Sequence, residues 1–570
     1  MDYKDYKIYI IHSILLLISI SAFLYGIKSY KFNDESCNMV EGWWMSQGLL
    51  PYQDFFSQHL PFASIYTYFL ALLGCQSHTQ FRLGYIVTVS IFLIIYSFYL
   101  KNKFDINMLS GSLIFLFFSL TYPLYIGNLI MAENFIGLAC LSIAAICYKN
   151  NNFRFSFLEQ IMISISVFIM ITSSVITIYP LVLFGLYLLV GFIRKGFVMS
   201  FIYNRYIFIF TILFSVIFIL WMYHIGSFIE MINQSIIFNL KYYSRFGDIS
   251  HSEFTDLPLY DSLTIYLNFI ITNTDITPFY PTTRMLFDRL ITFALIFCFM
   301  IQLIIGNRLY GSFLLFFTVL QRLRPVYLHE QSYYILSFFS LIIIINWLYI
   351  TVRSKDIAFG IKYVKYLSSF AIFIIFFIML ITGILCINIV NTHPISIDPC
   401  VHYIQKYSAP SDKLFASPLD PSIYLDSKRL PATKFYGYVP WQVEPYGQEI
   451  IKDLQKNSPK ILVVDMGTVV WGYKFSDYAD DLISNFISKE YKQYVFLDGY
   501  PHASLYINNN YTGYIKKYYP QDILGCLGVS QEAATQPVGE ILGNMTIGQT
   551  FLTSEEWRVT NIPTSRSGMK

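Results

Sequence analysis

Apolar runs of about 20 residues recur along this chain, and no other feature limits its possible folds so strongly. Roughly 20 apolar residues are needed for a helix to cross about 30 Å of hydrocarbon. In lipid every backbone N–H and C=O must be satisfied within the segment, so such runs become helices. They lie near 8–27, 78–100, 107–126, 129–148, 156–173, 175–193, 205–224, 286–306, 309–321, 332–351 and 366–390, about eleven spans. The fifth and sixth are parted only by small residues around Ser173 and Ser174, and read equally as one kinked unit. Composition agrees: 55% of the 570 residues are hydrophobic and 13% charged, against about 25% charged in soluble proteins. The fold class is an α-helical polytopic membrane protein. The net charge of +3 is too small to suggest nucleic acid. The first run exceeds a signal-peptide core and has no small-x-small cleavage site after it, which predicts an uncleaved first span.

Basic loops set the orientation. Lys101 and Lys103, Lys149 and Arg154, Arg194, Lys195 and Arg205, Arg308, and Arg353 and Lys355 fall on one side of the alternating spans, the expected cytoplasmic side. The stretch 33–74, the loop 225–285, the turn 322–331 and the chain from about 392 then share the outer side. Lys28/Lys31, Lys241/Arg245 and Arg322/Arg324 break the basic bias and are candidates for binding anions. Of the cysteines, Cys140, Cys147, Cys298 and Cys386 read as inert core residues. Cys37, Cys75, Cys400 and Cys526 fall outside the spans, where a Cys37–Cys75 or Cys400–Cys526 bridge is open in an oxidising compartment. No pair has zinc-ligand spacing.

The stretch after the first run carries the chemistry. It opens with adjacent carboxylates, Asp34 and Glu35, and continues through two Trp, a Pro-Tyr turn, Asp54, and His59 two residues before Pro61. Carboxylates beside a membrane segment are costly to hold there and are usually functional or solvated. Asn33 is placed to cap a helix with Asp34 and Glu35 in its first turn. Asp34, Asn38 and Glu41 share one face of it, and Met39, Val40, Trp43 and Trp44 cover the other, the pattern of a helix lying along the interface. Trp43 and Trp44 read as interfacial anchors. Gly48 to Asp54 is a turn, and 61–74 a second, mostly apolar helix. In the loop 225–285, Phe228 to Tyr243 is amphipathic and suited to lie flat on the bilayer.

From about Asn391 the composition changes. Lys413–Ser417, Lys460–Met466, Gln493–Gly499 and Ala503–Ile507 read as strands, with helices over Glu444–Lys456 and Asp477–Lys489. Strands alternating with helices predict a small extracytoplasmic α/β domain. The expected division is a membrane domain over 1–391 with a first outer loop at 28–77, an α/β domain over 392–510, and a polar extension over 511–570.

An uncleaved first span, then Asp-Glu, then Gly-x-x-Pro-Tyr-x-Asp, then x-x-Pro before an apolar helix, resembles the GT-C superfamily of bacterial membrane glycosyltransferases. The nearest in style are the lipid A aminoarabinose transferase, the protein O-mannosyltransferases and the lipopolysaccharide-modifying transferases. The motif covers residues 1 to about 100; beyond that the likeness is architectural. The resemblance implies a polyprenyl-phosphate-linked sugar donor, a glycan or lipid acceptor, membrane lipids as surroundings, and a multi-pass location in the bacterial inner membrane with the N-terminus cytoplasmic and the C-terminal domain periplasmic. It also implies Asp34 as catalytic base, since the family's first acidic residue after the first span has that role. The aminoarabinose-type Glu-Lys-Pro reads His-Leu-Pro here, so that enzyme's sugar and acceptor do not carry over.

A phosphate leaving group departs without a proton, so one carboxylate suffices to deprotonate the attacking hydroxyl. Glycosidases instead need two flanking carboxyls. Glu35 either orients this site or faces water. Asp54 and His59 follow the turn and are substrate-binding candidates. Arg322 and Arg324, with His329 and Tyr333 nearby, suit the departing phosphate through the planar guanidinium fork. Lys241 and Arg245 form a second cluster, and Glu133 lies near the outer end of the fourth span. The sequence names no cofactor and leaves a requirement for a divalent cation open. Two other classes remain: a lipid or polysaccharide transporter or flippase, and an O-antigen polymerase or ligase.

Overall fold

The computed structural model describes residues 3–29, 31–104, 129–150, 153–244, 308–313, 400–465, 469–470, 473–479, 481–495 and 503–512, with isolated positions between them. The principal helices and strands, in chain order, begin with α1 (Tyr3–Gly26), α2 (Asn33–Ser46), α3 (Phe62–Leu72), α4 (His78–Phe104), α5 (Ala132–Lys149), α6 (Phe157–Ser173), α7 (Ile178–Lys195), α8 (Phe197–His224) and α9 (Phe228–Ile232). The C-terminal elements are α10 (Cys400–Tyr407), β1 (Leu414–Ser417), α11 (Ser422–Ser427), α12 (Pro440–Asn457), β2 (Ile461–Asp465), β3 (Val469–Val470), β4 (Tyr473–Lys474), α13 (Asp481–Glu490), β5 (Tyr491–Val495) and β6 (Ala503–Asn508). The described residues gather into two compact units. One draws on 1–31, 59–228 and 256–396, the other on 32–58, 229–255 and 397–570. The acidic stretch 32–58, assigned to the membrane domain from sequence, thus groups with the C-terminal residues.

The first unit is helical. Among the described residues two helices, His78–Ile95 within α4 and Phe197–His224, are long and apolar enough to cross a membrane. Only 11% of the second is buried, so its apolar surface faces outward rather than into a soluble core. Of the expected spans, those near 8–27, 78–100, 129–148, 156–173, 175–193 and 205–224 coincide with α1 and α4–α8. The expected spans at 107–126, 286–306, 332–351 and 366–390, and all but 309–313 of the one at 309–321, lie outside the continuously described residues.

Polar side chains zip α6 to α8. Gln160 donates to the carbonyls of Phe155 and Tyr203, each at 2.9 Å. Ser164 donates to the Ile207 carbonyl at 2.9 Å, and Asn204 to the Phe153 carbonyl at 2.6 Å. Between apolar surfaces the hydrophobic effect gives helices little reason to associate, and such bonds provide one. Ser156 and Glu159 close a reciprocal capping box at the start of α6, so the buried Glu159 is structural. Between α6 and α7 the chain breaks: Ser174 is extended, and Thr177 donates back to the Met170 carbonyl at 2.8 Å. The two are separate helices. Arg82 of α4, fully buried, donates to the carbonyls of Ile27 at 3.0 Å and Ser29 at 2.7 Å. It supplies partners for carbonyls just past the end of α1.

The second unit contains a four-stranded sheet in the order β1-β2-β6-β5. β1 and β2 are parallel, and β2/β6 and β6/β5 antiparallel. Every residue of β2 is buried, which explains its unbroken Ile-Leu-Val-Val run. Ile450 and Leu454 of α12 and Ile483 and Ile487 of α13 form a core with Leu462, Val464 and Tyr506. The strand expected at 493–499 is observed at Tyr491–Val495, and the helix expected from Glu444 starts at Pro440. The fixed proline φ suits a first helical turn. The helix expected over Asp477–Lys489 divides into a single turn at Phe475–Tyr478 and α13. The polar extension over 513–570 lies outside the described residues.

A Cβ at Gly191 would stand 2.2 Å from the ring of Phe153, which is buried against Tyr187. Gly191→Ala is expected to cost about 1–3 kcal/mol through overpacking, read as a lowered Tm in detergent. Gly185→Ala, where a Cβ meets nothing within 4 Å, is expected to leave Tm unchanged or raised.

Candidate functional site

Helix α2 begins directly after Phe32, whose extended backbone makes it the cap residue without a side-chain hydrogen bond. Asn33 is therefore the first helical residue and not the cap. Asp34 and Glu35 occupy the first turn, beside the positive end of the helix dipole. Asp34 is half-buried, and Glu35 is fully buried, which removes the water-facing reading of that residue. From Glu35 to Met45 every residue is buried. A helix lying along a lipid interface keeps one polar face in water; α2 is enclosed on all sides instead.

The tryptophans show why. Trp44 is wholly buried, stacked on Tyr436 with ring centroids 5.7 Å apart, edge-on to Tyr424 at 5.3 Å and tilted against Phe55 at 5.6 Å. It anchors α2 to residues 424–436, not to a headgroup layer. Trp43 carries the Lys428 ammonium 5.6 Å from its ring centre.

The loop after α2 is fixed from two directions. Gly48 takes φ +94°, and the Asp54 carboxylate accepts from Leu50 N–H at 2.7 Å. Asp54 thus closes the turn. From residues 229–243, Gln234 accepts from Ser57 N–H at 3.2 Å and donates to the Tyr52 carbonyl at 2.7 Å. Asn239 donates to the Gln58 carbonyl at 2.7 Å. From the C-terminal side, Phe56 N–H donates to the Lys434 carbonyl at 2.6 Å, and its ring packs with Phe238, Phe435 and Tyr446. After α9 the backbone winds into two π-helical turns, Asn233–Ile237 and Asn239–Tyr243. Gln234 and Asn239, within the stretch read as a helix flat on the bilayer, bond to protein, while Ile229, Ile237 and Leu240 are exposed.

Glu41, buried to 1% exposure, accepts a hydrogen bond from the Tyr436 hydroxyl. The Tyr436 carbonyl accepts from the Tyr424 hydroxyl at 2.6 Å, and that hydroxyl accepts from Ala416 N–H of β1 at 3.0 Å. Burial, then the negative charge of Glu41, pushes the Tyr436 and Tyr52 phenols well above their ordinary value. Burial, then Asp34, Glu41 and Asp420, does the same to the Cys37 thiol. Asp34, Glu41 and the C-terminal Asp420 therefore all act on the Cys37 thiol. Asp420 also accepts from Ser422 N–H at 2.8 Å.

The other expected residues are placed as follows. His59 is half-buried in the segment leading to α3, and Glu133 is half-buried in the first turn of α5. Lys241 is exposed in the second π-helical turn, its ammonium 4.9 Å from the Tyr242 ring centre. Arg245, Arg322, Arg324, His329 and Tyr333 lie outside the described residues. Cys37, Cys75 and Cys400 are free thiols, so the Cys37–Cys75 bridge is not formed; Cys526 lies outside the described residues. No group of three or more His, Cys, Asp or Glu side chains suited to a metal occurs among the described residues. Sequence reasoning passed over Tyr436, Tyr424 and Asp420. The one available signal was Glu41, seven residues after Asp34 on the same helical face.

The fold of this chain, a helical unit and a second unit that joins the acidic helix to a small α/β sheet, is one that solved structures share. The archaeal oligosaccharyltransferase AglB from Archaeoglobus fulgidus, solved with an inhibitory peptide and a dolichol-phosphate, matches with a TM-score of 0.50 at 11% identity, over 90% of this chain and 75% of that one. ArnT from Cupriavidus metallidurans bound to undecaprenyl phosphate matches at TM-score 0.48 and 7% identity, over 89% and 98% of the two chains. Its apo form matches at 0.48 and 9%, over 87% and 97%. At such identities the likeness is one of fold. No family model and no curated protein matches the sequence.

The Cys37 thiol holds its proton above the ordinary value of 9.0. It is expected to resist N-ethylmaleimide in the native chain and to react after denaturation in SDS; rapid native labelling would contradict the packing of α2. Cys37, Tyr52 and Tyr436 keep protons in the folded state that the unfolded chain releases. Their contribution is complete below the unfolded values, ordinarily 9.0 for the thiol and 10.0 for the phenols. Stability is therefore expected to fall as pH rises past that range.

Proposed function

We propose that this protein is a glycosyltransferase that moves a sugar from a polyprenyl-phosphate donor to a lipid-linked or lipopolysaccharide/O-antigen acceptor. The reaction takes place on the outer face of the bacterial inner membrane. The observation that carries the reading is the GT-C fold shared with AglB over 90% of the chain, with Asp34 in the first turn of the helix that follows the first apolar helix. AglB was solved with a dolichol-phosphate, a lipid phosphate of the class proposed here as carrier.

The chemistry is a single displacement with inversion. The acceptor hydroxyl loses its proton to the Asp34 carboxylate as its oxygen bonds to the anomeric carbon. The bond from that carbon to the phosphate oxygen breaks, and its electron pair leaves with the lipid phosphate. Phosphate charge grows from −1 towards −2, so cations fixed beside it favour the transition state over the ground state. Arg322 and Arg324 are the proposed pair, with His329 and Tyr333 beside them and Lys241 and Arg245 as further cations. Glu35, Asp54, His59 and Glu133 complete the proposed substrate-binding set.

Mass spectrometry of lipopolysaccharide and glycolipids from cells with and without the chain tests the reading. A sugar-sized mass increment that requires the chain is expected. Asp34→Asn is expected to abolish it, lowering the rate by about 10²–10⁴-fold, the usual worth of a general base, at an unchanged level of protein in the membrane. No increment, or an Asp34→Asn chain as active as the parent, would overturn the reading.

A further inference from the structure

We propose that Tyr436, carried by the C-terminal α/β domain, is a positioning residue for the transfer reaction: through Glu41 it fixes helix α2 and with it the location of Asp34. The proposal rests on the reading of Asp34 as the base.

Asp34 and Glu41 are seven residues apart, two helical turns on one face. Glu41 is 1% exposed. A carboxylate so far from water needs hydrogen bonds, and the Tyr436 hydroxyl donates one. The Tyr436 ring stacks on Trp44, 5.7 Å between centroids with planes 18° apart. Trp44 lies three residues beyond Glu41, so one side chain grips two successive turns of α2. Rotating the helix about its axis, or sliding it by one residue, breaks both contacts together.

Tyr436 is held in its turn. The Tyr424 hydroxyl takes the Ala416 N–H of β1 and donates to the Tyr436 carbonyl. The next residue, Gly437, passes so close to the strand that a Cβ there would stand 2.9 Å from the Ala416 carbonyl oxygen. Ser57, just past the turn that follows α2, has its N–H held by Gln234. Tyr436 is thus held at both ends, its carbonyl through Tyr424 to a strand of the α/β domain and its hydroxyl to a carboxylate of α2. An aromatic core alone would hold α2 by apolar contact with no preference among close rotations. The phenol–carboxylate bond specifies one.

The experiment uses the full chain in membrane vesicles from producing cells, with initial rates of the mass increment measured across pH and undecaprenyl phosphate as a binding probe. Tyr436→Phe keeps the ring stack and removes the hydroxyl. It is expected to slow transfer by about 10–100-fold, the order expected of a misplacement near 1 Å, and to shift the acidic limb of the rate profile. Affinity for undecaprenyl phosphate is expected to stay within about twofold, since no contact to the lipid phosphate is assigned to Tyr436. Glu41→Gln, which still accepts from the phenol, is expected to retain more activity than Glu41→Ala. The double variant of Glu41→Ala with Tyr436→Phe is expected to be no slower than Glu41→Ala alone, because the two act through one contact. Tyr424→Phe is expected to move the rate in the same direction by less, and replaces Tyr436→Phe should that chain not accumulate. An inactive Asp34→Asn beside a Tyr436→Phe (or Tyr424→Phe) chain with parental rate and pH profile would overturn the positioning role and leave the base assignment standing. Additive losses in the double variant would also overturn it. A fully active Asp34→Asn chain would remove the base, and the proposal with it.

Discussion

A carboxylate taken out of water must be given a partner, and the second unit is arranged around that requirement. Glu35 and Glu41 are both buried in α2. An uncompensated buried charge is among the most destabilising features a fold can contain. Glu41 is compensated by a phenol more than 390 residues away in sequence, and that phenol is fixed by a second tyrosine and a strand N–H. The segment before α12 supplies the hydrogen bond by which a carboxylate of the acidic helix is held inside protein.

The same requirement, applied to backbone and neutral groups, shapes the helical unit. Gln160, Ser164 and Asn204 each find main-chain partners across the α6–α8 seam. Arg82, buried in the first turns of α4, spends its guanidinium on carbonyls at the end of α1. The π-helical turns after α9 present Gln234 and Asn239 to the loop 52–58. Each i→i+5 turn shifts the register of the side chains that follow, which is why such turns recur where a helix must present particular groups. In each of these cases among the described residues, a polar side chain holds backbone.

Much of this was readable beforehand. The helix opening at Asp34 and Glu35, the apolar helix after Pro61, the six apolar runs now seen as helices, and three of the four main strands follow from period and composition. The GT-C likeness was legible from a dozen residues of the first outer loop. The misreadings share one cause. Asp34, Asn38 and Glu41 opposite Trp43 and Trp44 is an amphipathic pattern, and amphipathicity states that two faces differ without stating what each face meets. A carboxylate facing water and a carboxylate facing a phenol give the same sequence. Tyr436 could not be found from its neighbours, because nothing local distinguishes it among 47 tyrosines.

What the sequence determined by itself is therefore what the surrounding medium dictates: helices of membrane-crossing length, a polar loop with two adjacent acids between the first two apolar segments, and a strand-rich tail. Local spacing encodes these because each depends on residues within about twenty positions of one another. The tertiary structure alone decided that the acidic helix, the loop 52–58, the π-helical turns and the sheet form one unit, and that Glu41 meets Tyr436. Such pairings depend on which buried groups find complementary partners across hundreds of residues, and a hydrogen bond leaves no mark on the spacing of the residues that make it.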